Sequence, residues 1–169
     1  MQWSVAIFSS RETLPTLSSS IEAILSATNE AASVVDVMVH GNQELANDVG
    51  RYIETVHSFG RARTVVRVWD DLVGDKAHAW NRYLHDILPP SEVTFFVDGY
   101  AQAMTDALKL ISDGLNETPK ALAASGVPAV KKSHPLLEKS VGCGRDFFSN
   151  AYPCLEPLRR TESSLQLPG

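Results

Sequence analysis

Four short apolar runs of β character recur in the first hundred residues: "WSVAIF" (3–8), "SVVDVMV" (33–39), "RTVVRVW" (63–69) and "EVTFFV" (92–97). A stretch of helical period follows each. Leu14, Leu17, Ile21, Ile24 and Leu25 share the first helical face, and Leu45, Val49, Ile53 and Val56 the second. Ala77, Trp80, Leu84, Ile87 and Leu88 define the third, and Leu108, Ile111 and Leu115 the fourth. This alternation leaves few solutions. Parallel neighbours need a crossover of about a dozen residues, and a helix supplies it. The pattern therefore predicts an α/β, doubly wound, mostly parallel Rossmann-like sheet with helices on both faces over residues 1–128. The continuous apolar character of the first and fourth runs predicts strands buried on both sides.

Local signals agree with this division. Thr13 is placed to cap the first helix, and Pro15 sits early, where its missing N–H does no harm. "HGN" (40–42) ends the second strand, and Pro89-Pro90 stops the third helix. "KALAAS" (120–125) predicts a fifth strand before Gly126 and Pro128. Beyond it the pattern breaks. Residues 129–169 hold four of the nine prolines and keep no clean period, so they are expected to form an irregular tail.

The chain of 169 residues suffices for one domain with a substantial core. No apolar stretch approaches the ~20 residues of a membrane span, and "MQWSVAIFSS" lacks the basic start of a signal peptide. A cytoplasmic location is expected by default, with Cys143 and Cys154 as reduced thiols. Net charge is −5, with nine Lys/Arg against sixteen Asp/Glu up to residue 128 and six against four beyond it. An acidic body without a basic stripe argues against nucleic acid as a partner.

In open parallel sheets, ligands bind outside the carboxyl ends of the strands, where strand order reverses. That rule nominates Phe8-Ser9-Ser10, His40-Gly41-Asn42, Asp70 to Lys76, and Asp98-Gly99-Tyr100. Lys76 falls in the first turn of a helix, where the macrodipole disfavours a cation by about 0.3–1 kcal/mol. Either it pairs with Asp70, Asp71 or Asp75, or it meets an anion such as a diphosphate. Asp98 either closes its strand with an Asp-Gly turn or supplies oxygen to Mg²⁺ or Mn²⁺ beside phosphates. His78 and His85, seven apart, read as surface residues. There is no P-loop, no Gly-x-Gly-x-x-Gly and no Gly-x-Ser-x-Gly, which disfavours nucleoside triphosphatases, Rossmann dehydrogenases and serine hydrolases.

Four segments taken in order carry a resemblance. "SVAIFSSRE" resembles the opening strand and loop of glycosyltransferase family 2 proteins, of the GT-A fold, and "VVDVMVHGN" resembles their second. "GDKAHAWN" matches the family's Gly-x-Lys-x-x-Ala-x-Asn pattern through Gly74, Lys76, Ala79 and Asn81. "TFFVDGY" occupies the place of the strand carrying the Asp-x-Asp motif. The similarity covers about residues 3–128.

The resemblance implies transfer of a sugar from a UDP- or GDP-linked donor to an acceptor hydroxyl, usually with inversion. It implies a donor site built from Phe8, Ser9, Ser10, Glu12, His40, Asn42, Lys76, Asn81, Asp98 and Tyr100. Asp98 would ligate a Mg²⁺ or Mn²⁺ ion bridging the diphosphate. The chain departs from the family in three ways. Tyr100 replaces the second Asp of the motif, and His40 and Asn42 stand where the second loop often carries an acid. The third departure is length: the acceptor-side segment with its catalytic base should follow residue 130, where only Glu138 and Asp146 are candidates. A truncated or frame-disrupted product is expected. The alternative is a non-catalytic nucleotide-binding or interaction module on the same fold.

Overall fold

The computed structural model describes residues 2–28, 31–57, 64–118 and 120–126. Four strands, β1 (Gln2–Ser9), β2 (Ala32–His40), β3 (Thr64–Asp71) and β4 (Val93–Asp98), form one sheet in the order β3-β2-β1-β4. All three pairings are parallel. The helices are α1 (Leu14–Ala27), α2 (Gln43–His57), α3 (Lys76–Arg82) and α4 (Ala107–Glu117). A π-helical turn, Tyr83–Ile87, continues α3, and Leu88 N–H donates to the Tyr83 carbonyl at 2.8 Å before Pro89 ends it. The expected α/β, doubly wound sheet is what the chain adopts. No described helix is long and apolar enough to cross a membrane.

Strand alternation sorts the core. On one face of the sheet Ala6, Phe8 and Met38 pack with Ala79, Tyr83 and Ile87 from α3 and its π turn. Val5, Ile7, Val35, Val37 and Val39 point the other way and are fully buried. Right-handed crossovers, the rule for parallel strands, put α1 and α2 on that second face. There Leu17, Ile21, Ile24 and Val49 are also fully buried. Each such side chain contributes about 1.5–3 kcal/mol relative to exposure.

One charged residue interrupts the first face. Asp36 is fully buried in β2, and Arg67 on the neighbouring strand binds it through Nε (2.7 Å) and Nη2 (2.8 Å). Trp69 Nε1 donates to the same carboxylate at 2.8 Å. Beside them the Tyr83 hydroxyl and Ser4 Oγ share a hydrogen bond of 2.6 Å. A buried charge survives only with its lone pairs satisfied, and register supplies the partner: Asp36 lies directly opposite Arg67.

Three expectations are corrected. The buried face of α3 and its extension is Ala79-Tyr83-Ile87, whereas Ala77, Trp80 and Leu84 are exposed. Tyr83 can be buried because its hydroxyl finds Ser4. Strand β4 is not buried on both sides: it is an edge of the described sheet, and Phe96 is 38% exposed. Residues 120–125 form no strand. Lys120 takes a left-handed φ of 69°, which no strand accommodates, and Leu122 is almost fully exposed.

Thr13 does precede α1, but its hydroxyl bonds Thr16 Oγ1 at 3.0 Å and no helix N–H. The chain divides into two compact units, 1–109 and 110–169. Among the described residues of the second are the last turns of α4 and an irregular stretch ending at Gly126. The boundary expected at 128, both cysteines, Glu138 and Asp146 lie outside the described residues.

Candidate functional site

From β1 the chain steps outward to β2 and β3, then returns to β4 on the opposite side of β1. Strand order reverses between β1 and β4, so the loops leaving their carboxyl ends part and open a crevice. Gly99 lets them start close together. Its N–H donates to the Phe8 carbonyl at 2.8 Å, and a Cβ there would stand 2.8 Å from Ser9 Cβ.

The loop after β1 is organised around Glu12. Its Oε2 accepts from Ser9 Oγ (2.6 Å), Ser10 N (2.8 Å) and Arg11 N (3.1 Å). Burial raises the pKa of Glu12, but the Ser9 hydroxyl and these backbone donors outweigh it and hold the carboxyl below its ordinary range. Glu12 is therefore a charged organiser of the loop. Asn42 takes a similar part next door: its Oδ1 accepts from Leu45 N (3.1 Å) at the start of α2, and its Nδ2 donates to the Ser10 carbonyl (3.0 Å).

The loops after β2 and β3 interlock through two glycines. Gly41 has a φ of 67°, and a Cβ on it would lie 2.5 Å from Gly74 Cα. Gly41 N–H also donates to the Asp71 carbonyl at 2.7 Å. This contact brings Gly74, Asp75 and Lys76 to the crevice. Asp75 Oδ1 caps α3 by accepting from Ala77 N at 2.9 Å. Asp71 is engaged elsewhere, accepting from Val73 N and His78 Nδ1, both at 3.0 Å. Burial raises the Asp71 pKa, but these donors and the nearby Arg82 hold it below the ordinary range.

Lys76 pairs with none of the aspartates nearest to it in sequence. Its ammonium donates to Asp98 Oδ1, across from α3 to the end of β4. The Tyr100 hydroxyl donates to the other oxygen, Oδ2, at 3.1 Å. The Lys76 hydrogen bond lowers the Asp98 pKa, and burial only partly opposes it. The Tyr100 hydroxyl's own hydrogen bond to Asp98 raises the Tyr100 pKa.

Together these loops bound a cleft of about 400 Å³, lined by Phe8, Ser9, Ser10, Arg11, Glu12, His40, Gly74, Asp75, Lys76, Asp98 and Tyr100. Eight of the ten residues nominated from sequence line it. Asn42 does not, being spent on the α2 cap. Asn81 does not either: five positions beyond Lys76 it is turned roughly 140° around the helix, and it is exposed. Sequence reasoning missed Arg11 as a lining residue. Its guanidinium takes part in none of the ion pairs among the described residues. The available signal was a cation in the loop after β1, at the switch point. His40 is 7% exposed, and its Nδ1 meets no hydrogen-bond partner among the described residues. A buried, unsatisfied donor or acceptor on a cleft wall is a position a ligand can satisfy.

A Mg²⁺ or Mn²⁺ ion takes oxygen ligands in octahedral geometry. One or two carboxylates beside substrate phosphates can suffice for such an ion. Here both oxygens of Asp98 are engaged by protein donors, Tyr100 presents a hydroxyl proton, and Glu12 is held by its own loop. Among the described residues no three His, Cys, Asp or Glu side chains converge to hold a metal. As arranged, Asp98 offers a divalent ion no oxygen without a protein donor. No family model matches the chain, and no curated protein shows significant similarity to it.

Proposed function

We propose that the cleft is the donor site of a glycosyltransferase-like protein of the family 2 kind, receiving a UDP- or GDP-linked sugar. One observation carries this reading. The loops from all four strand ends converge at the reversal of strand order and place Lys76 and Arg11 on one cleft of ligand size. In the proposed pose Ser9, Ser10 and His40 face the nucleoside, and Lys76 faces the diphosphate. As the acceptor oxygen attacks the anomeric carbon, the bond to the diphosphate oxygen breaks and charge collects on the leaving group. A cation brought against that oxygen stabilises the transition state more than the ground state.

A second reading has its own support. The carboxylates that line the cleft are all held by protein donors: Glu12 by Ser9, Ser10 and Arg11, Asp75 by Ala77, and Asp98 by Lys76 and Tyr100. A general base must instead reach the acceptor hydroxyl. This favours a module that binds a nucleotide without turning it over.

One experiment tests both. The protein is titrated calorimetrically with UDP, GDP and uridine, then incubated with UDP-glucose, UDP-N-acetylglucosamine and GDP-mannose while nucleoside diphosphate release is measured. Binding with release supports the transferase. Binding without release supports the module. If the folded protein binds none of these nucleotides, both readings are wrong.

A further inference from the structure

Resting on the nucleotide reading of the cleft, we infer that Asp98 acts as an internal anion. It pairs with Lys76, opposes diphosphate binding, and leaves Lys76 to meet the phosphate without a divalent cation. Four observations carry this. First, Lys76 bridges from α3 to Asp98 and takes the oxygen that a metal would need. Second, the Tyr100 hydroxyl donates a hydrogen bond to the remaining oxygen. At the third position of the Asp-Gly-Tyr sequence this side chain is therefore a hydrogen-bond donor to Asp98. Third, the Lys76 side chain is half exposed. An ammonium on a flexible stem in that setting can change partners at little cost. Fourth, Arg11 lines the same cleft and has no ion-pair partner among the described residues.

Charge counting fixes the sign. Arg11 and Lys76 stand against Glu12, Asp75 and Asp98 on the cleft wall. A bare phosphate enters a slightly negative site and gains Lys76 only by displacing Asp98. It succeeds because a diphosphate brings more than one negative charge where the carboxylate brings one. Removing the Asp98 charge leaves the wall balanced and Lys76 available. A metal-ligand role predicts the opposite: the same substitution would cost affinity, and only when metal is present.

The test is calorimetric titration of UDP and GDP into wild type, Asp98→Asn and Lys76→Ala, each in EDTA and in Mn²⁺. Both residues are partly exposed, so the variants should melt within a few degrees of wild type, checked by circular dichroism. In EDTA the wild type should bind UDP or GDP. Asp98→Asn should bind it up to about fivefold more tightly, which is what an exposed ion pair is worth. Lys76→Ala should lose about tenfold or more. Binding that needs Mn²⁺ and weakens in Asp98→Asn overturns this inference while leaving the nucleotide site standing. Unchanged affinity in Lys76→Ala overturns it as well. If the folded wild type binds neither nucleotide in either buffer, the inference and the nucleotide reading fall together.

Discussion

Replacing Gly99 by alanine tests the geometry from which the cleft is built. The new Cβ would lie 2.8 Å from Ser9 Cβ and 3.1 Å from both the Phe8 carbonyl oxygen and Ser9 Oγ. Favourable carbon contacts fall at about 3.5–4.0 Å, so the clash exceeds half an ångström. Neither side yields freely. Phe8 pairs with Asp98 in the β1–β4 ladder and accepts from Gly99 N–H, while Ser9 Oγ is committed to Glu12. Overpacking of this kind costs about 1–3 kcal/mol. Against it stands a gain of about 0.4–1 kcal/mol from the less flexible unfolded chain. A net loss of about 1–2 kcal/mol is expected. With a urea slope of about 1–3 kcal/mol/M, the unfolding midpoint should fall by roughly 0.5–1 M. Gly50→Ala is the internal control. It lies inside α2 with no atom within 4 Å of a Cβ, so it should gain about 0.5–1 kcal/mol. The two substitutions should thus move the midpoint in opposite directions. If Gly99→Ala proved harmless, or both variants shifted alike, the close approach of β1 and β4 would be wrong.

Other perturbations read other parts of the molecule. Asp36→Ala leaves Arg67 and Trp69 without their acceptor; breaking a fully buried pair costs about 3–5 kcal/mol, and Arg67 recovers some water because a third of its side chain is exposed. A loss of roughly 2–3 kcal/mol in urea unfolding is expected, and Asp36→Ala/Arg67→Met should recover part of it. Tyr83 is pushed up to about 12 by burial, so the folded state keeps its proton longer than the unfolded chain, whose tyrosines ionise near pH ~10. Stability should then fall as pH rises from 10 towards 12, and Tyr83→Phe should flatten that fall while costing about 1–2 kcal/mol at neutral pH through the lost Ser4 bond. Glu12, Asp71 and Asp98 are all lowered, so folded protein holds fewer protons on them than unfolded protein. Their contribution is complete above pH ~4 and lost on acidification below it, and Asp71→Asn should make the acid side of a urea-midpoint profile shallower.

The alternation of strand and helix was legible because burial imposes it: a sheet covered on both faces needs continuous apolar strands, and each crossover helix needs one apolar stripe. What composition could not resolve was which stripe. Trp80 and Leu84 look more like core than Tyr83, yet the core takes Tyr83, because Ser4 on the central strand offers its hydroxyl a partner. That choice depends on a contact 79 positions away in sequence, and no local period encodes it. The expected fifth strand failed for a related reason. "KALAAS" has the apolarity of a strand, but alanine has little β preference, and Lys120 adopts a conformation that ends regular structure. Strand ends were placed one or two residues short because Ser9, His40, Asp71 and Asp98 are polar, and the ladder extends through polar residues as readily as apolar ones.

The site was legible position by position and illegible as a set of pairs. Loops after consecutive parallel strands must gather at one edge of the sheet, so listing the polar residues there recovers most of the cleft. Partnership is different, because it follows spatial order. Lys76 has three aspartates within six residues of it in sequence, but the crossover after β3 carries the chain past β2 and β1 to β4. That places Asp98, 22 positions on, within reach of its ammonium. The two sequence-level roles, Lys76 for a phosphate and Asp98 for a metal, then stop being independent. An ammonium bound to a carboxylate supplies one of the two charges a divalent ion would bring, and it competes with that ion for the same oxygens. The Asp98→Asn effect on nucleotide binding, tighter without metal or weaker only with it, therefore decides between the two roles more directly than activity could.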